Sequence, residues 1–126
     1  MSETENLVSP VLLVDDESSF LTSARIALGA EGITDVQICS DSREVLHILD
    51  QRPFGVIALD ITMPHISGSE LLPQIIQAHP DMCVIMITAI NQVETAVASM
   101  KAGAFDYLVK PLRKEVLVAS IRKALE

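Results

Sequence analysis

At 126 residues the chain has the length of one ordinary domain, enough to bury a single sizeable core. Its composition is 49% hydrophobic, yet no apolar run is long enough to cross a membrane and no h-region follows Met1, so a soluble, globular, cytoplasmic protein is expected. Nine Lys and Arg against 17 Asp and Glu leave a net charge of −8, which argues against a nucleic-acid surface here, since phosphate binding needs clustered cations. Cys39 and Cys83 are too few for a disulfide framework and read as small buried hydrophobes. No Cys or His pair has the spacing of a zinc site.

Residues 1–9 are polar and aperiodic, and are expected to form a flexible tail ahead of a domain spanning 10–126. Pro10 to Val14 is a short continuous apolar run, the pattern of a buried strand. Ser18 or Ser19 is placed to cap a helix through Ala30, with Phe20, Leu21, Ala24, Ala27 and Leu28 on one face and Gly32 just past its end. Thr34 to Cys39 alternates weakly as a second strand. Asp41 or Ser42 then caps a helix bearing Val45, Leu46, Ile48 and Leu49, which Pro53 stops.

Val56 to Leu59 is the third strand, and a loop containing Met63-Pro64 runs to Gly68. A helix from about Ser69 to Ala78 carries Leu71, Leu72, Ile75 and Ile76, with Pro73 in its early turns, where a missing N–H is tolerable. Met82 to Thr88 is the fourth strand, followed by a helix from Asn91 or Gln92 to Ala102 that Gly103 ends. Phe105 to Val109 is the fifth strand, and Leu112 to Leu125 the last helix. Strand and helix thus alternate five times. That alternation calls for an α/β fold, a doubly wound five-stranded parallel sheet with helices on both faces. Right-handed crossovers favour the strand order 2-1-3-4-5, which puts the switch point between strands 1 and 3.

Asp15 and Asp16 follow the first strand and Asp60 follows the third, so this order gathers three carboxylates at one sheet edge. Each alone is an ordinary turn or cap residue. Together, two carboxylates about 4 Å apart repel by about 4 kcal/mol at an effective dielectric near 20, so the cluster needs a proton, a cationic side chain or a metal ion. All-oxygen ligation at modest charge suits Mg²⁺, with a backbone carbonyl after Asp60, that of Thr62, well placed to join it. The loop after strand 1 has no phosphate cradle, and neither GxGxxG nor GxxxxGK[ST] occurs. Phosphate can approach Asp15-Asp16-Glu17 only once a divalent cation reverses the local field.

Lys110 closes the fifth strand and precedes Pro111, a bond that can be cis. A lone Lys there is usually a solvated charge; opposite an acidic cluster it can pair with Asp60 and grip a phosphoryl oxygen. Thr88 either satisfies its hydroxyl locally or donates to a phosphoryl group on Asp60, and the small Ala89 leaves room for a donor or water. Tyr107, the only Tyr, is either a half-buried strand residue or an aromatic that swings inwards when Thr88 moves. His47, His65 and His79 are scattered as surface residues. No Ser or Cys has an activating base, which counts against a nucleophilic hydrolase.

Four stretches carry a family resemblance: LLVDDE at 12–17, ALDITMPHISG at 58–68, MITA at 86–89 and GAFDYLVKP at 103–111. In this order and spacing the chain resembles a response-regulator receiver domain of two-component signalling, a flavodoxin-like fold, from about Val11 to Leu125. The resemblance implies that Asp60 is the phosphoacceptor for a sensor histidine kinase or phosphotransfer protein. It implies Mg²⁺ held by Asp15, Asp16, Asp60 and the Thr62 carbonyl. Lys110, Thr88 and Ala89 would meet the phosphoryl group, with Tyr107 as switch aromatic. It also implies a switch rather than an enzyme, one that signals to an effector domain or partner and can dimerise through the helix after Thr88, the fifth strand and the last helix. Thr62 departs from the Asn or other polar residue that many members carry. The competing expectations are a phosphorylation-independent interaction module and, ranked last, an aspartyl-phosphate phosphatase, whose DxDx[TV] pattern after the first strand is missing.

Overall fold

The computed structural model describes residues 9–126, so all but the last residue of the tail expected over 1–9 lies outside the described residues. Five strands alternate with helices: β1 (Val11–Val14), α1 (Ser18–Ala30), β2 (Val36–Cys39), a 3₁₀ turn at Ser42–Glu44 running into α2 (Val45–Leu49), β3 (Val56–Leu59), α3 (Gly68–Ala78), β4 (Cys83–Thr88), α4 (Val93–Lys101), β5 (Asp106–Val109) and α5 (Lys114–Leu125). The sheet is parallel throughout, in the order β2-β1-β3-β4-β5. This is the doubly wound topology that the alternation of elements predicts. Among the described residues no helix is long and apolar enough to cross a membrane.

Side-chain alternation along the strands divides the core into two layers. Leu12, Val14, Ile57, Leu59, Val84 and Met86 face one side and pack under Val45 and Leu49 of α2 and Leu71, Leu72 and Ile75 of α3. Val11, Leu13, Val56, Ala58, Ile85 and Ile87 face the other and meet Leu21, Ala24 and Leu28 of α1 with Leu117, Val118 and Ile121 of α5. Each fully buried Leu or Ile contributes about 1.5–3 kcal/mol relative to an exposed one. With both faces covered, β1 and β3 are buried at every residue, as their unbroken apolar runs require.

Local signals set most element ends. Gly32 (φ +88°) and Gly103 (φ +111°) take up the left-handed conformation after α1 and α4. Asp41 accepts the Arg43 amide at 3.0 Å and caps the 3₁₀ turn. Several ends differ from expectation: β2 begins at Val36 rather than Thr34, and α5 at Lys114 rather than Leu112. Ser18 is the first residue of α1, not its cap. Glu17 occupies the cap position without a side-chain bond to the helix amides; its backbone amide donates to Asp15 Oδ1 at 2.9 Å and its carboxylate accepts from Lys110 at 3.0 Å. α3 starts one residue early at Gly68, held by a capping box in which Ser67 Oγ accepts the Glu70 amide and Glu70 accepts the Ser67 amide. Pro73 lies inside α3, where the Ser69 carbonyl loses its helical partner.

Candidate metal and phosphoryl site

Register carries the site. Val14 pairs with Leu59, so Asp15 and Asp60, the next residue on each strand, stand level at the carboxyl edge of β1 and β3. The ladder continues into them: the Asp60 amide donates to the Val14 carbonyl at 3.2 Å and the Asp15 amide to the Cys39 carbonyl at 3.2 Å. Asp15 is 1% and Asp60 6% exposed, while Asp16 turns to solvent. Each of the three offers a carboxylate oxygen within 4.8 Å of the others. Oxygens on one Mg²⁺ at about 2.1 Å lie roughly 3–4 Å apart, so small side-chain rotations bring this set to a common octahedral ion. An all-oxygen, anionic and partly buried donor set fits that ion.

The backbone after each Asp holds its carboxylate. Asp15 Oδ1 accepts the Glu17 amide, and Asp60 Oδ1 accepts the Thr62 amide at 3.2 Å. Thr62 itself is exposed. Gly68 packs so tightly on β3 that a Cβ there would overlap the Asp60 carbonyl and sit 2.8 Å from Ile61 Cα, while its amide donates to the Ile61 carbonyl at 2.8 Å. Farther along this loop, Ser42 Oγ donates to the Pro64 carbonyl at 2.8 Å and accepts the Ile66 amide at 3.2 Å, bracketing His65 at φ +72°. Neither Gly68 nor Ser42 was expected from sequence to serve the site. A Gly eight residues past a strand-end Asp is their only sequence signal.

Lys110 reaches back across the edge from β5. The Lys110–Pro111 bond is cis, and the Lys110 amide donates to the Thr88 carbonyl at 2.8 Å. Its ammonium donates to Asp15 Oδ2 at 2.6 Å and to Glu17 Oε1 at 3.0 Å, and lies 3.6 Å from Asp60 Oδ2. The expected Asp60 pairing is thus present as the longest of three. Its Nζ also sits 4.4 Å from the centroid of the Phe20 ring, a cation–π contact. From sequence, Phe20 belongs only to a helix face, and Glu17 only to the general negative field.

Electrostatics at the edge remain unbalanced. Four carboxylates, Asp15, Asp16, Glu17 and Asp60, gather at this edge with one ammonium, which contacts all but Asp16, leaving a formal excess of three negative charges. Desolvation is the largest influence on Asp15 and raises its pKa above 3.8; the Lys110 and Glu17 hydrogen bonds only partly offset it, and the charge on Asp60 adds to the rise. For Lys110, burial acts downwards, but the bonds to Asp15 and Glu17 and the charge of Asp60 win, and its pKa is raised. The ion pair therefore suits the ammonium better than it suits Asp15, which stays short of positive charge.

Thr88 is fully buried at the end of β4, and its Oγ1 accepts the Ile90 amide at 3.4 Å; Ala89 is exposed. Tyr107 is half-buried, with its hydroxyl donating to the Ile90 carbonyl at 2.8 Å. Burial, then the charge of Asp60, raises its pKa. The chain thus ties Thr88 and Tyr107 to one loop residue, Ile90. None of the three histidines enters the site: His47 bonds Gln51, His79 meets Asp50 at 3.2 Å, and His65 is exposed.

The profile of the response regulator receiver domain family matches residues 11–122. The chain belongs to this family. Relatives include the DNA-binding transcriptional regulator NtrC of Escherichia coli, 38% identical over 115 residues that make up 91% of this chain and 24% of NtrC. The alginate biosynthesis transcriptional regulatory protein AlgB of Pseudomonas aeruginosa is 36% identical over all of this chain and 28% of its own length. The receiver thus spans about a quarter of these relatives. Among solved structures, a CheY-like response regulator receiver domain protein from Methanospirillum hungatei superposes with a TM-score of 0.87 at 32% identity, covering 94% of each chain. The BeF3-activated DrrB receiver domain superposes at 0.85, with 28% identity and coverage of 94% and 98%. The fold is that of CheY-like receivers, and the chain is a receiver of two-component response regulators.

Proposed function

We propose that this receiver accepts a phosphoryl group on Asp60 from the phosphohistidine of a sensor kinase or phosphotransfer protein, in a Mg²⁺-dependent transfer in the cytoplasm. The observation that carries the reading is one buried carboxylate, Asp60, that stands level with Asp15 and Asp16 in a three-acid cluster and lies 3.6 Å from the ammonium of Lys110, whose shortest bond goes to Asp15. Asp15, Asp16, Asp60 and the Thr62 carbonyl would hold the metal, which supplies charge neutralisation and orientation when bound. An Asp60 carboxylate oxygen forms the new bond to phosphorus as the phosphorus–nitrogen bond breaks, and the freed imidazole keeps the electron pair and takes up a proton. Lys110 and the Thr88 hydroxyl then bind phosphoryl oxygens, with Ala89 leaving the space open.

The receiver acts as a switch, promoting only its own phosphorylation and dephosphorylation. New charge on Asp60 draws on Thr88 and Lys110; Thr88 shares Ile90 with Tyr107, so the loop and α4 respond. Val93, Val97 and Met100 stand exposed on α4, beside β5 and α5, and support homodimerisation through that face as one output. An effector domain or partner protein carries the response. A phosphorylation-independent interaction module is not favoured, because the full set of acids, Thr and Lys is assembled. Intact-mass measurement after incubation with Mg²⁺ and acetyl phosphate tests the reading. A single phosphoryl adduct, lost in Asp60→Asn, is expected; a wild-type protein that takes up none would sink it.

A further inference from the structure

The ammonium of Lys110 has three N–H donors, and the way they are shared is uneven. Asp15 takes the shortest bond, 2.6 Å, and cannot release it by rotating away: it is 1% exposed and its other oxygen is held by the Glu17 amide. Glu17 takes the second bond at 3.0 Å with a side chain that is 63% exposed. Asp60, at 3.6 Å, lies beyond hydrogen-bond distance. The Phe20 ring flanks the ammonium on the side of α1. Of the two bonded carboxylates, then, only that of Glu17 can leave for water at little cost.

We infer that Glu17 is a positioning residue that holds Lys110 towards α1 while Asp60 is unmodified, so that a phosphoryl group draws the ammonium over against that bond. The inference rests on Asp60 being the phosphoacceptor. A phosphoryl group carries about two negative charges and three strong acceptor oxygens, and displaces a single exposed carboxylate. Displacement needs only side-chain rotation, because the Glu17 backbone stays tied to Asp15. Glu17 thereby raises the threshold for switching. An exposed ion pair of this kind changes a binding constant by about two- to fivefold.

Beryllium fluoride with Mg²⁺, a phosphoryl mimic requiring no chemistry, is titrated into wild type, Glu17→Gln and Glu17→Asp, and the Thr88 and Ala89 amides are followed by NMR. Glu17→Gln removes the charge. Glu17→Asp keeps it, but shortens the reach to Lys110, and Asp at the α1 cap position bonds helix amides instead. Half-saturation is expected at about two- to fivefold lower fluoride in both variants. An unchanged Glu17→Gln overturns the inference. So does a shift in Glu17→Gln with Glu17→Asp at the wild-type value, the result expected of general charge repulsion. Wild type that forms an acetyl-phosphate adduct while the variants stay flat loses this inference alone; wild type without adduct or fluoride response loses the Asp60 reading as well.

Discussion

The two halves of the sheet are held very differently. Around β1 and β3, every strand residue is buried, while α1 buries Leu21, Ala24 and Leu28 and α3 buries Gly68, Leu71, Leu72 and Ile75. On the far side, every residue of β5 is only partly buried, and α4 buries Ser99 alone while leaving Val93 75% exposed. Asp15 and Asp60 stand on the first half; Tyr107 and the exposed apolar stripe stand on the second. Groups that must keep ångström geometry are fixed by packing. Elements that respond to them bury little side chain, so a modest change in interaction energy can move them.

Substitutions in the two halves should separate on this basis. Leu12→Ala, at a fully buried β1 position, is expected to cost about 3–5 kcal/mol in urea unfolding, whereas Val97→Ala on α4 changes stability by no more than about 0.5 kcal/mol. Equal losses would dissolve the distinction. Gly68→Ala comes next, because its Cβ meets backbone that cannot rotate aside. About 1–3 kcal/mol of stability should go, and acetyl-phosphate labelling of Asp60 should slow by up to about 10²-fold, measured by intact mass over time. Labelling at the wild-type rate would show that the close approach does not position Asp60.

Smaller effects test the second half and the surface. Tyr107→Phe deletes the bond to the Ile90 carbonyl and should cost about 0.5–1.5 kcal/mol, with faster amide exchange confined to the loop before α4. Protection unchanged in that loop would mean the hydroxyl does not tether it. Least of all, the Arg43 hydrogen bonds lower the Asp41 pKa from 3.8 to about 2. A depressed carboxylate contributes stability above pH 3.8 and loses it as pH falls through about 2. Asp41→Asn should remove that component of an acid titration, and an unaltered acid limb would exclude it.

The legible part of the sequence is the part governed by neighbours in the chain. Unbroken apolar runs mark Val56–Leu59 because a strand covered on both faces has no polar side, and Gly32 and Gly103 end helices by their backbone freedom. Where local signals compete, the reading slips. Ser18 looks like a cap, yet Asp15 has taken the turn; and a single helix after Asp41 becomes a 3₁₀ turn with a five-residue helix.

Strand order and the polar residues closing each strand were enough to bring Asp15, Asp16 and Asp60 together, since parallel strands with right-handed crossovers leave few arrangements. Only the tertiary structure decided who holds Lys110. Its contacts with Asp15 and Glu17 span 95 and 93 residues, and depend on register, on the cap of α1 and on the Phe20 ring beside the ammonium. Hydrophobic pattern is a property of a segment and is written in it. The sharing of one ammonium among three carboxylates is a property of distances, and those exist only once the core has closed.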